Sequence, residues 1–511
     1  MQIKRSIGAL LLCAAAALPA QAQKPAATEL HIDAHAAGTP FPHFWERMFG
    51  SGRAILTLRE SYRDDLRTVH EATGFEYVRF HAIFHDETGF FSLDANGKPV
   101  YNFSYIDQIY DGLLDNGVKP FVELSFMPKA LASDPNALHA FWYKQNVSAP
   151  KDYAMWDEMI RQFTQHLVDR YGLDEVSQWY FEVWNEPNID FWVGKPAQST
   201  YFELYDHTAR AVKQVNPRLR VGGPATAQAA WVTDFLAHTK QQGVPVDFVS
   251  SHIYANDTAK DVFKTDEQIP RDQMVYRSVK SIHDQIAASP YPAMPLIMSE
   301  YNATYANEPD VTDSIYMGPW LANTIRQCDG LTQMMSYWAL SDAFEEQGVV
   351  KTPFYGGYGL IAADNIIKPA LNAFSMLHRL GGTRLANDSD ATLVTRRKDG
   401  SLVVALWNYA PPMGTGATYT SSAPAGPARS FDLSLTHVPL NAHVTLQRLD
   451  ENHGNVLKAY DAMGRPAFPS LRQLDELHEA SQPSTPETLH LTGGRLRVNV
   501  PSQGLVVLEI K

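Results

Sequence analysis

Cysteine is nearly absent. The 511 residues contain two, Cys13 and Cys328. Cys13 lies in an N-terminal stretch that reads as a cleaved leader, so Cys328 is left alone and no internal disulfide is expected. A chain with a large core does not need one, and a lone cysteine in an apolar setting reads as a packing residue rather than a nucleophile. Excess positive charge is also absent: 43 Lys and Arg stand against 56 Asp and Glu, a formal net charge of −13. No basic stripe is present to neutralise phosphates, which excludes a nucleic-acid partner. Long hydrophobic runs are missing too. Ile7 to Leu18 is the obvious apolar stretch, and it is too short to span a bilayer.

Several catalytic signatures are missing. No Gly-x-Ser-x-Gly elbow appears, so a Ser-His-Asp hydrolase has no support. No Gly-rich loop precedes a helix to cradle phosphate. No His-x-x-x-His pair lies on a helix with a fitting partner, and His81 and His85 span a strand end and a loop. Neither a metal nor a cofactor is therefore expected.

What is present begins with a targeting segment. Lys4 and Arg5 precede the apolar run, and Ala20-Gln21-Ala22 is a small-x-small cleavage site. Residues 1–22 read as a signal peptide, giving an exported, periplasmic or secreted protein. Apolar residues make up 45% and charged residues 19% of the chain, enough for a sizeable core. Strand-like runs at 46–50, 76–82, 119–124, 179–184, 220–222, 247–252, 295–299 and 333–338 alternate with helical patterns at 62–72, 105–116, 153–171, 200–215, 229–242, 275–288 and 314–327. Eight strands with intervening helices predict an α/β fold, a (β/α)8 TIM barrel over 41–380. After it, short alternating runs and the Asp399-Gly400 turn signal predict an all-β sandwich over 381–511, with a loop at 411–427. Segment 23–40 carries one strand near Ile32 that precedes the barrel and pairs with the sandwich.

Two strand ends carry carboxylates. Trp179-Tyr180-Phe181-Glu182-Val183-Trp184-Asn185-Glu186-Pro187-Asn188 stops at a proline, which has no N–H to continue a ladder. Leu296-Ile297-Met298-Ser299-Glu300-Tyr301 ends in a second glutamate. By strand count Glu186 closes the fourth strand and Glu300 the seventh, and both reach the C-terminal mouth of a barrel. Two carboxylates across a cleft are what glycosidic bond hydrolysis uses. Glu182 points the same way as Glu186 but one layer deeper. It needs a buried partner, and Arg79 on the second strand is the candidate. His81, Glu123, His252, Tyr254 and Trp338 also fall at strand ends on that face. Trp338 offers an indole face for a sugar ring.

The ten-residue stretch from Trp179 to Asn188 resembles the signature of glycoside hydrolase family 39, which holds bacterial β-xylosidases and animal α-L-iduronidases. Gly50-Ser51-Gly52-Arg53-Ala54, Val78-Arg79-Phe80-His81, the run from Lys119 to Pro128, Phe141-Trp142-Tyr143-Lys144, Tyr337-Trp338 and Asp342-Ala343-Phe344-Glu345-Glu346 resemble its β-xylosidase branch. The resemblance implies a retaining mechanism with Glu186 as acid/base and Glu300 as nucleophile, Asn185 on the sugar 2-hydroxyl, and His81, His252, Tyr254, Trp338 and Glu345 lining the subsite of the terminal sugar. Ala82 departs from the pattern, since the β-xylosidases usually show Gly there. The expected activity is an exo-β-xylosidase acting on small xylo-oligosaccharides. The alternatives are an α-L-iduronidase or α-L-arabinofuranosidase and, more remotely, a non-catalytic sugar-binding barrel. The charge of Glu300 is expected to raise the pKa of Glu186.

Overall fold

The computed structural model describes residues 27–412, 426–439 and 441–511. The leader and most of the 411–427 loop lie outside the described residues. The barrel strands are β1 (Met48–Arg53), β2 (Tyr77–His81), β3 (Lys119–Leu124), β4 (Tyr180–Val183), β5 (Arg220–Thr226), β6 (Phe248–Tyr254), β7 (Leu296–Asn302) and β8 (Met334–Tyr337). They pair in parallel, each with the next in sequence, and β8 closes on β1. All eight sequence-predicted strands are present. Their near-continuous apolar character is that of strands covered on both faces. Met48, Tyr77, Phe121, Tyr180, Phe248, Ile297 and Met334 form a separate apolar cluster at the strand starts, a plug across the closed end.

The helices follow from periodicity and caps. Helix Tyr153–Tyr171 buries Trp156, Met159, Ile160, Phe163 and Leu167, one stripe at helical spacing. Asp152 caps it, accepting from the amides of Ala154 and Met155. Among the described residues no helix is long and apolar enough to cross a membrane.

Beyond the barrel two sheets form. One is three-stranded: Thr28–Asp33, Arg429–Thr436 and Arg495–Val500. Thr28–Asp33 runs parallel to Arg429–Thr436, with Thr28 opposite Phe431. The other has seven strands, with Leu402–Trp407 and Leu505–Ile510 near its centre. Leu402–Trp407 is buried on both faces, and barrel helix Met317–Cys328 packs against this sheet. The all-β expectation is corrected here: helices Val456–Ala462 and Leu471–Ala480 sit between two of its strands. They bury Val456, Leu457, Tyr460 and Leu477 with Phe354 and Ile366 of the barrel side. Cys328 is buried in the core, with its thiol pKa driven upward by burial.

Candidate active site

The site is built around one guanidinium. Arg79, on β2, is fully buried. Its Nε donates to Glu182 Oε2 at 2.6 Å, Nη1 to Glu300 Oε1 at 2.8 Å and Nη2 to Asn185 Oδ1 at 2.9 Å. Nη2 also lies 2.7 Å from Glu123 Oε2. Burial works against the charge on Arg79, but Glu182, Glu123 and Glu300 around it hold the proton and raise its pKa. Glu182 is thus a support beneath the site. For Glu123, burial pushes the pKa up, but the charges of His81 and Arg79 outweigh it and bring the carboxyl below its ordinary value.

The chain must turn sharply to present Glu186. β4 stops at Val183, and both Trp184 and Glu186 take left-handed backbone angles, φ 70° and 43°. The turn is pinned at both ends. Glu186 N donates to the Ala225 carbonyl at 2.8 Å, and Trp184 Nε1 to the Phe191 carbonyl at 2.8 Å. Asn188 clamps Ala227, accepting from its amide and donating to its carbonyl.

Glu300 sits within β7 and accepts on both oxygens, from Arg79 and from Tyr254 Oη at 2.7 Å. His252 Nδ1 lies 2.9 Å from Glu186 Oε1 and 3.6 Å from Glu300 Oε1. One carboxylate oxygen of Glu186 is within 4.8 Å of one of Glu300. Burial pushes the Glu186 pKa up to about 7, against the opposing charges of His81 and Arg79. That corrects the expected cause: exclusion of water, not the charge of Glu300, dominates. Burial also pushes His252 down to about 4, so its ring is neutral at neutral pH. Its Nε2 faces Ser299 Oγ at 3.1 Å.

These groups open into a cavity of about 380 Å³. Its walls include His81, Asn185, Glu186, Tyr254, Glu300 and Trp338, so most of the sequence-selected residues meet there. Trp338 lies across Gly50, where an added Cβ would come within 2.1 Å of the indole. That contact explains the glycine in Gly50-Ser51-Gly52. Two selected residues stand elsewhere. His252 is buried behind Glu186 rather than on the cavity wall. Glu345 turns away: Arg59 Nη1 and Nη2 hold its two oxygens at 2.5 and 3.0 Å, with Arg53 at 3.4 Å. Its neighbour Glu346 takes the place in the wall, with a pKa raised well above normal by burial and then by Glu300 and Glu186. Sequence reasoning also missed Tyr358, Asp190 and Asp257, which line the cavity from loops without a periodic signal. Tyr358 is placed by a buried ion triad. Lys368 Nζ lies 2.7 Å from Asp313 Oδ1 and 2.8 Å from Asp342 Oδ2, and those acids accept from the amides of Gly356 and Gly359.

Glu186, His252 and Glu300 also converge closely enough to meet a metal's ligand count. The Arg79 charge on Glu300 disfavours a second cation there. Two carboxyls this close, one protonated and one held by donors, suit glycosidic bond cleavage.

Residues 28–495 match the family model for glycosyl hydrolases family 39. The chain belongs to that family. A β-xylosidase from Caulobacter crescentus, described as monomeric, superposes with a TM-score of 0.86 at 35% identity, covering 95% of this chain and 99% of that one. A β-xylosidase of Geobacillus stearothermophilus is 37% identical over 471 residues, 90% of each chain. One from Caldicellulosiruptor saccharolyticus is 34% identical, covering 86% of this chain and 88% of its own. The family 39 match takes in the whole barrel and most of the β domain.

Proposed function

We propose that this family 39 hydrolase is a retaining exo-β-xylosidase that releases xylose from the non-reducing ends of xylo-oligosaccharides. The observation that carries the mechanism is the Glu186–Glu300 pair, with oxygens within 4.8 Å. Retaining pairs stand about 5–5.5 Å apart and inverting pairs about 6.5–9.5 Å. Glu186, protonated in its buried site, gives its proton to the departing oxygen. Neutral His252 hydrogen-bonds one oxygen of that acid through Nδ1 at 2.9 Å and Ser299 Oγ through Nε2 at 3.1 Å, holding the carboxyl in place. Glu300, oriented by Arg79 and Tyr254, attacks the anomeric carbon. Glu186, now ionised, takes a proton from water, which releases the sugar with retention. Asn185 is fixed by Arg79 toward the 2-hydroxyl, and Trp338 and His81 form the floor.

The alternative substrate, an iduronide, carries a carboxylate. The described wall carries neither lysine nor arginine, so it offers an anion no counter-charge. The leader-like sequence supports export. The test is hydrolysis of aryl β-xyloside, α-arabinofuranoside, β-galactoside and α-iduronide, with the product anomer followed by proton NMR. The β-xyloside is expected to be fastest and to give β-xylose first. An α-anomer appearing first, or turnover of the xyloside surviving in both Glu186→Gln and Glu300→Gln, would overturn the assignment.

A further inference from the structure

A second convergence of ligand-type side chains lies at the opposite, closed end of the barrel. His43 and Glu46 precede β1, and His378 follows helix Pro369–Leu377. One donor atom from each lies within 4.8 Å of the others. His43 Nδ1 is 2.5 Å and His378 Nδ1 2.9 Å from the same atom, Glu46 Oε1. The other ring nitrogen of His43, Nε2, is 3.1 Å from the Leu380 carbonyl. A carbonyl only accepts, so Nε2 carries the hydrogen. His43 Nδ1 and the carboxylate oxygen hold their 2.5 Å separation only with a positive partner between them, a proton or a metal ion. The second carboxylate oxygen, Glu46 Oε2, is buried and has no hydrogen-bond partner, on a residue only 4% exposed. The cluster therefore has one carboxylate oxygen to spare.

We propose that His43, Glu46 and His378 form a binding site for a divalent transition-metal cation of the Zn2+ class. The ligands are the two Nδ1 atoms and the Glu46 carboxylate, with water completing the shell. Two imidazoles and one carboxylate are a donor set that suits Zn2+. The Leu380 carbonyl supplies the outer hydrogen bond that orients a ligating imidazole. Donors around a tetrahedral ion with Zn–N near 2.0–2.1 Å stand about 3.3 Å apart, so the cluster opens by less than about 1 Å to admit one. The His378 side chain is 46% exposed, which gives the ion a way in. The site joins three parts of the fold. Glu46 lies two residues before Met48 of the plug, His378 ends the last barrel helix, and Leu380 leads into the β domain. An ion there is a structural tie, remote from the Glu186–Glu300 cleft.

The test uses full-length protein stripped of metal at pH 7.5, titrated with Zn2+ and Co2+ by calorimetry, visible absorption and thermal melting. The expected result is one tight equivalent, a Co2+ ligand-field band and a melting temperature that rises with Zn2+. In His378→Ala, and separately in His43→Gln, binding should weaken at least tenfold and the band disappear, with aryl-xyloside turnover unchanged. Equal binding by wild type and both variants overturns the proposal, as does inhibition of turnover in step with binding, which would place the ion at Glu186. No binding below about 100 μM also overturns it, and leaves the cluster an ion pair filled by protons.

Discussion

Replacing Glu186 by Gln should stabilise the protein at alkaline pH while it removes the acid. The carboxyl has a pKa of about 7 in the folded chain against an ordinary 4.5. A folded pKa above the unfolded one means that the native state binds the proton more tightly. Its stabilising contribution is complete below pH 4.5 and is lost as pH rises through 7. At about 1.36 kcal/mol per unit, the loss approaches roughly 3 kcal/mol above neutrality. Gln mimics the protonated acid, can still hydrogen-bond His252 Nδ1 through its amide and does not titrate. Unfolding entropy near 2.1 cal/mol/K per residue gives about 1 kcal/mol per degree for a chain of this size. The melting temperature of Glu186→Gln should therefore exceed that of wild type by about 3 °C at pH 8.5, with the gap closing toward pH 4.5. Scanning calorimetry of both proteins across that range measures it, and pH effects shared by the two cancel in the difference. A gap that stays constant with pH, or one that widens toward acid, would refute the claim that burial holds this proton.

The alkaline limb of kcat/KM should fall through an apparent pKa of about 7 for substrates with poor leaving groups, and should vanish in Glu186→Gln assayed with an activated aryl xyloside, whose departure needs no proton. Ala82→Gly should not destabilise: Ala82 sits at φ 70°, where an L side chain costs about 1–2 kcal/mol, so relief of strain outweighs the added chain entropy and chemical denaturation should show a gain of up to about 1 kcal/mol. Lys368→Met should cost about 3–5 kcal/mol in urea unfolding, since it strands two buried acids. Wherever the variant stays folded, KM should rise, because the 356–359 turn that carries Tyr358 loses its anchor.

The barrel was legible because parallel strands covered on both sides must be written as apolar runs, and Lys119–Leu124 and Leu296–Asn302 are such runs. Glu186 and Glu300 were legible because each interrupts one. The partnership of Glu182 with Arg79 was legible for a related reason: a charge on an inward strand position demands its opposite. Loops obey no such period. Glu345 and Glu346 are adjacent, and only the left-handed turn at Glu345, φ 57°, decides which faces the cavity. Strands of three residues, such as Gly38–Pro40 and Thr383–Leu385, are too short for alternation to register. Helices Val456–Ala462 and Leu471–Ala480 were missed because they are short and bury few side chains, on a small satellite core. The cause of the raised Glu186 pKa was misassigned since sequence gives neighbours in charge but not the depth of burial.

Thr28–Asp33 finds its partner strand at Arg429–Thr436, and the side chains of Thr28 and Arg429 meet across 401 positions. A strand made some 401 positions ahead of its partner therefore waits for that partner before it can pair. Until then Leu30 and Ile32, buried in the finished fold, are an open apolar edge of the kind that recruits other chains. The barrel closes on sequential neighbours and can form early, while the clasp across it is among the last contacts made. A chain cut short before residue 429 would keep every residue of the active site and still carry an unmated strand at its head, so such fragments should be lost to aggregation rather than to lack of chemistry.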